Sequence, residues 1–273
     1  MTRLRQWLSL LVLLALLVLP GPVMAAGDPE ADDLPRLFER ALSLSRQGDP
    51  EAALPLWDQV LELAPRDAAA WSNRGNIRLM LGDPEGAIAD QTRSIDLAPD
   101  DADPHLNRGT AEEALQRWPE AAADYDWILQ RDPLDASALY NLGNVRGSEG
   151  DWAEAQRLYR QAADARPGFA MARSSDALAL YQLEDLAEAE RQLRNLIRRY
   201  PLFADARAAL SALLWREGSR GEAESHWAAA AGSTPATAIR PGWPWCGAGR
   251  PRRLLISSAF SLWRCHDVFV ALD

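Results

Sequence analysis

A period of 34 residues governs most of this chain. Pro65, Pro99, Pro133, Pro167 and Pro201 stand 34 residues apart, and Pro235 is next in phase. Twelve residues before each lies an alanine: Ala53, Ala87, Ala121, Ala155, Ala189 and Ala223. Twelve residues earlier again comes a small residue: Ala41, Gly75, Gly109, Gly143, Ala177 and Ser211. The phase never slips. A unit of this length cannot bury an apolar face alone, so the chain must stack successive units against one another.

Each recurring position has a physical reason. The small residue and the alanine mark where two paired helices approach closely, and a larger side chain at either would overpack the contact. Four residues after the alanine stands a large side chain, as Trp57, Tyr125, Tyr159, Leu193 and Trp227, with Gln91 the exception. It shares the alanine's helical face. The proline cannot continue a helix interior and so follows the end of the second helix. Gly48, Gly82 and Gly150, each followed by Asp, mark the turn within a unit, where Gln116 and Glu184 replace the glycine in two copies.

These motifs resemble the tetratricopeptide repeat, a 34-residue pair of antiparallel helices. The clearest copies run from Trp71-Ser72-Asn73-Arg74-Gly75 through Leu81-Gly82-Asp83 to Ala87 and Pro99, and from Tyr140-Asn141-Leu142-Gly143-Asn144 to Pro167. The resemblance implies an all-α, right-handed superhelical solenoid of six helix pairs over 34–67, 68–101, 102–135, 136–169, 170–203 and 204–235. Arg40, Arg74, Arg108 and Asp176 depart from it, since they stand where the family usually has leucine. Together with the apolar start of the chain, the repeats are similar to exported bacterial members, and the Asn-Arg-Gly copies (Asn73-Arg74-Gly75 and Asn107-Arg108-Gly109) to cyanobacterial ones related to proteins of the chloroplast lumen.

The family holds peptides or partner helices on the concave face lined by its first helices. By resemblance, repeat positions 2, 5, 9, 12 and 13 point there. They carry Ser72, Asn76, Leu79 and Met80; Leu106, Thr110 and Glu113; Tyr140 and Asn144; and Met171, Ser174, Leu178 and Tyr181. Among them Asn76, Tyr140, Asn144 and Tyr181 are expected to lie open to the groove, and Asn76 and Asn144 suit an extended backbone. Asn73, Asn107 and Asn141, at position 6, are expected to tie neighbouring repeats together. Chaperone-binding relatives clamp a terminal carboxylate with asparagines and cations. Asn76 and Asn107 match the neutral half of that clamp, but Ser72, Ser137 and Asn141 stand where the cations would be. A carboxylate left without cations is weakly held, so that ligand is disfavoured. The expected ligand is an apolar or amphipathic protein segment.

Charge sharpens this reading. All 29 cations are arginine. Without lysine the chain has neither a phosphate-loop lysine nor a Schiff-base amine. Residues 26–231 hold 22 arginines against 37 acidic residues, a balance of −15, which argues against nucleic acid and suits a basic partner surface. His105, His226 and His266 are scattered, and both cysteines lie beyond residue 240. No catalytic constellation, metal site or cofactor is expected. The expected function is a non-enzymatic protein–protein interaction scaffold that assembles an extracytoplasmic complex; the alternative is a substrate-binding adaptor for an envelope enzyme or secretion machine.

The two ends differ from the array. Residues 1–25 open with Arg3 and Arg5, continue in an apolar run from Trp7 to Leu19, and break at Pro20-Gly21. This is the pattern of a secretory signal peptide, with an uncleaved membrane anchor as the alternative. No cysteine follows to carry a lipid anchor. Residues 26–33 form a short linker, and the expected location is the periplasm or a thylakoid lumen. The atypical tail over 236–273, where the change of composition begins at Gly232, carries Trp243, Trp245, Trp263, Cys246, Cys265 and five arginines. Three readings stay open for it: a helix docked on the last repeat, a contact with a membrane or another subunit, or a shifted reading frame.

Overall fold

The computed structural model describes residues 34–231. The expected signal peptide and linker over residues 1–33, and the tail, lie outside them. The described chain forms twelve helices and no strand. They are α1 Leu34–Gln47, α2 Pro50–Leu63, α3 Ala68–Met80, α4 Pro84–Leu97, α5 Ala102–Ala114, α6 Trp118–Leu129, α7 Ala136–Ser148, α8 Trp152–Ala165, α9 Ala170–Gln182, α10 Leu186–Arg199, α11 Ala204–Arg216 and α12 Arg220–Ala230. Each helix packs on the next in sequence, so the pairs stack into an all-α solenoid. First helices also touch one another along the array (α1 with α3, α3 with α5, α5 with α7, α9 with α11), and no comparable contact joins successive second helices. The first helices therefore crowd together on one side.

The chain's punctuation sets the helix ends. Asp49, Asp83, Asp151 and Asp185 open second helices, their carboxylates accepting from the backbone N–H of Ala52, Gly86, Glu154 and Glu188. Asp67, Asp101 and Asp135 cap first helices in the same way. The preceding turn needs a left-handed residue, and Gly82 supplies it at φ +83°. Gln116 and Glu184 adopt that conformation with a side chain, at φ 59° and 65°. Pro65, Pro99, Pro167 and Pro201 each fall two residues after a second helix ends; α6 ends earlier, at Leu129, four before Pro133.

The interior is continuous through the middle repeats. Ala121, Tyr125, Ala138, Val145, Ala155, Leu158, Tyr159 and Ala172 belong to one buried cluster. The small position explains the close spacing: a Cβ on Gly109 would lie 2.6 Å from the Tyr125 ring, and one on Gly143 would lie 2.7 Å from that of Tyr159.

Arg40 is exposed, and the other three departures from leucine are absorbed by an internal polar layer. Arg74 donates through Nε and Nη2 to Asp90 of its own repeat, and through Nη1 to Asp58 of the preceding one, each at 2.8 Å. Arg108 repeats this arrangement on Asp124, with Thr92 in the place of Asp58. In the fifth repeat the polarity reverses. Asp176 accepts from Gln156, and Arg160 of the preceding repeat lies 3.6 Å from it. Burial raises the Asp176 carboxyl, against the hydrogen bonds from Gln156 and Arg160 that lower it. Aspartate is shorter than arginine, and here a cleft of about 550 Å³ opens among α8, α9 and α10, lined by Arg160, Asp164, Arg173, Asp176, Gln192 and Arg199.

Candidate functional site

The candidate site is the face built by the first helices. Met80 and Thr110 are exposed there, while Ser72, Asn76, Leu79, Met171, Leu178 and Tyr181 are half-buried. Leu178 and Tyr181 pack against the last hydrophobic cluster, and the Arg216 guanidinium lies 5.3 Å from the centre of the Tyr181 ring.

Two expectations are corrected. Tyr140 and Asn144 do not lie open to the groove; each is only 4% exposed. The Tyr140 ring is held between Tyr159 at 5.7 Å and Phe169 at 5.1 Å, so it joins the fourth repeat to the chain entering the fifth. Asn144 is covered in the same region, and its Oδ1 accepts from Tyr159 Oη at 3.0 Å. Ser174 is also buried, at 3% exposure. Of the position-6 asparagines, Asn107 reaches Ser72 of the neighbouring repeat at 3.4 Å, whereas Asn73 bonds back to the Ala69 carbonyl of its own helix.

Beneath this face lies an arrangement that sequence reading missed. In the first four repeats the side chain four residues after the repeat alanine reaches through from the second helix and holds a polar group of the first. Trp57 Nε1 donates to Ser45 Oγ at 2.9 Å. Gln91 Nε2 donates to Asn76 Oδ1 and to the Ser72 carbonyl, both at 2.9 Å. Tyr125 Oη donates to Glu113 Oε1 at 2.5 Å. With Tyr159 on Asn144, four successive repeats share the device. Gln91 is thus a buried hydrogen-bonding counterpart of the tyrosines. The available signal was spacing: Ser45–Trp57 and Glu113–Tyr125 are 12 residues apart, and Asn76–Gln91 and Asn144–Tyr159 are 15 apart.

This layer fixes orientation. The Ser72 carbonyl only accepts, so Gln91 must present its NH2 there, and the atom of Asn76 facing that same NH2 must be its oxygen. The Asn76 NH2 then points away as a donor. Glu113 is the acidic member of the layer. Burial pushes its carboxyl up to about 7, and the Tyr125 hydrogen bond pulls it only partly back. Tyr125 is itself raised, by burial first and then by the charge of Glu113.

No group of three or more His, Cys, Asp or Glu side chains among the described residues could hold a metal ion. His105 is buried, bonded through Nδ1 to Asp124 at 2.8 Å and stacked on Trp127 at 3.8 Å. No described helix is long and apolar enough to cross a membrane.

Helix pairs stacked at a 34-residue period, with a polar-lined first-helix face, define a repeat scaffold for protein–protein interaction. The sequence profile of the tetratricopeptide repeat matches residues 38–102, 106–168, 143–192 and 175–237, and the chain belongs to that family. No curated protein matches it. Among solved structures it is similar to PilW, described as a widely conserved type IV pilus biogenesis factor, at 21% identity and TM-score 0.64 over 72% of this chain and 91% of that one. A tetratricopeptide repeat protein from Parabacteroides merdae gives 19%, 0.60, 71% and 77% in the same terms. Pseudomonas aeruginosa PilF gives 17%, 0.61, 71% and 88%. At these identities the likeness is one of fold.

Proposed function

We propose that the protein is a non-enzymatic scaffold that holds an extended segment of a partner protein along its first-helix face, outside the cytoplasm, during assembly of a complex. The observation that carries this reading is Asn76. Its oxygen is engaged by Gln91, so its NH2 is set to donate to a partner carbonyl, beside the exposed Met80 and the half-buried Leu79. A fixed donor flanked by apolar side chains suits a backbone with alternating side chains. The signal-like pattern of residues 1–25 supports the extracytoplasmic setting.

Affinity capture from the native host tests the groove. A protein retained by the full chain and lost from a folded Asn76→Ala/Met80→Ser variant supports the reading, whereas equal recovery by both overturns it. Fusing residues 1–25 to a reporter enzyme active only outside the cytoplasm tests the location. An inactive fusion refutes export by that segment.

A further inference from the structure

The groove reading above leaves the chemistry of the partner open, and one carboxyl narrows it. Glu113 stands at repeat position 12 of α5, the position held by Ser45, Leu79 and Tyr181 in other repeats. Its Oε1 is held by Tyr125 Oη from α6. Glu113 is half-buried, and the fully buried acids of this region each have an arginine: Asp90 has Arg74 and Arg78, Asp124 has Arg108, and Glu112 has Arg117. Among the described residues none pairs with Glu113, and no charged side chain shifts its titration. The charge nearest to its partner Tyr125 is that of Asp124, which Arg108 already holds. Thr110 on its own helix lies within reach of Tyr125, and Tyr159 of α8, which feels the Glu113 charge, is bonded to Asn144 of α7. In α3 and α4, Arg74, Arg78 and Asp90 are bonded to one another.

Resting on that groove reading, we infer that Glu113 is the receptor for a cationic side chain, an arginine or lysine, on the segment the groove binds. A carboxylate held in a desolvated place by one neutral donor gains most from an added cation, because the local dielectric is low and no internal charge competes. The −15 balance of residues 26–231 favours the same partner at longer range. Tyr125 is the positioning residue. It holds one oxygen and leaves the other for the ligand.

The test uses the full chain, immobilised, and capped nonapeptide libraries with the central residue fixed as Arg, Lys, Gln, Leu or Glu. At pH 8 the Arg and Lys libraries are expected to bind about tenfold or more above the Gln and Leu libraries, as one charge-assisted bond allows. That preference should disappear in Glu113→Gln and shrink below pH 6, as the carboxyl takes up its proton. In Tyr125→Phe the preference should survive, with its pH midpoint moved upward, because the bond that favours the anion is gone. Asn76-dependent binding without a cation preference overturns the assignment and leaves the groove reading standing. So does a cation preference that persists in Glu113→Gln. No binding by any library, or binding indifferent to Asn76→Ala, overturns the groove reading and this inference together.

Discussion

Arg74 grips Asp90 with two guanidinium nitrogens, each 2.8 Å from a carboxylate oxygen, where most repeats of the family pack a leucine. The Asp90 side chain is only 2% exposed and that of Arg74 12%, so both charges are largely out of water. Their worth is conditional. A buried pair compensates its own desolvation but seldom betters apolar packing, whereas losing one partner strands the other. Arg74→Leu should therefore lower unfolding stability by about 2–3 kcal/mol, moderated because Arg78 also reaches Asp90 at 3.1 Å. The double variant Arg74→Leu/Asp90→Leu should recover most of that loss. Urea denaturation of the wild type and these two variants checks this; a double variant no more stable than Arg74→Leu would contradict it.

Gln116 takes a left-handed turn that the equivalent Gly48, Gly82 and Gly150 adopt freely. The side chain costs about 1 kcal/mol there. Gln116→Gly should raise stability by about 0.5–1 kcal/mol, since glycine's greater freedom when unfolded offsets part of the relief. An unchanged or lowered melting temperature would refute this. Glu184 shares the strain but also pairs with Arg216, so it is the poorer test.

The same change should act with opposite sign at two glycines. A Cβ at Gly143 meets the Tyr159 ring at 2.7 Å, and that ring is buried and tied to Asn144. Gly143→Ala should destabilise by about 1–3 kcal/mol, the usual range for overpacking. A Cβ at Gly221, in α12, meets nothing within 4 Å. Gly221→Ala should stabilise by about 0.5–1 kcal/mol through helix propensity alone. Thermal melts of both variants decide it.

Glu113 gives stability a defined pH dependence. Its carboxyl titrates near 4.5 when unfolded and about 7 when folded, so the folded form binds the extra proton. The contribution is present below about pH 4.5 and is lost as pH rises through 7, amounting to on the order of 3 kcal/mol. Acids paired with arginine, such as Glu154 and Glu222, are lowered by those hydrogen bonds and slope the other way, so the comparison must be between variants. Glu113→Gln should flatten the decline between pH 5 and 8 and be the more stable protein at pH 8. Parallel melting curves across that range would contradict the assignment.

The solenoid was legible because its determinants are local and periodic. Gly82-Asp83 supplies a turn and a cap within two residues, and Pro99 cannot continue a helix. The state of the groove was less legible, because it depends on side chains that return to it from far along the chain. Tyr140 is covered by Phe169, which lies 29 residues downstream. Asn76 and Asn144 share a repeat position, yet one is half-buried and the other nearly sealed. Gln91 looked like a gap in the pattern because composition shows size and polarity, not the carbonyl waiting across the helix pair.

The reversal of charge at Asp176 makes the units of this array unequal. Arg74 and Arg108 face Asp58 and Thr92 of the preceding unit, while Asp176 faces Arg160. These three junctions are each keyed to the neighbouring unit. Excising the fourth unit whole would bring Asp126 to the place of Arg160 and set two carboxylates against each other. The stack is therefore ordered like a set of coded tumblers. It tolerates substitution at a junction more readily than the loss or shuffling of a unit.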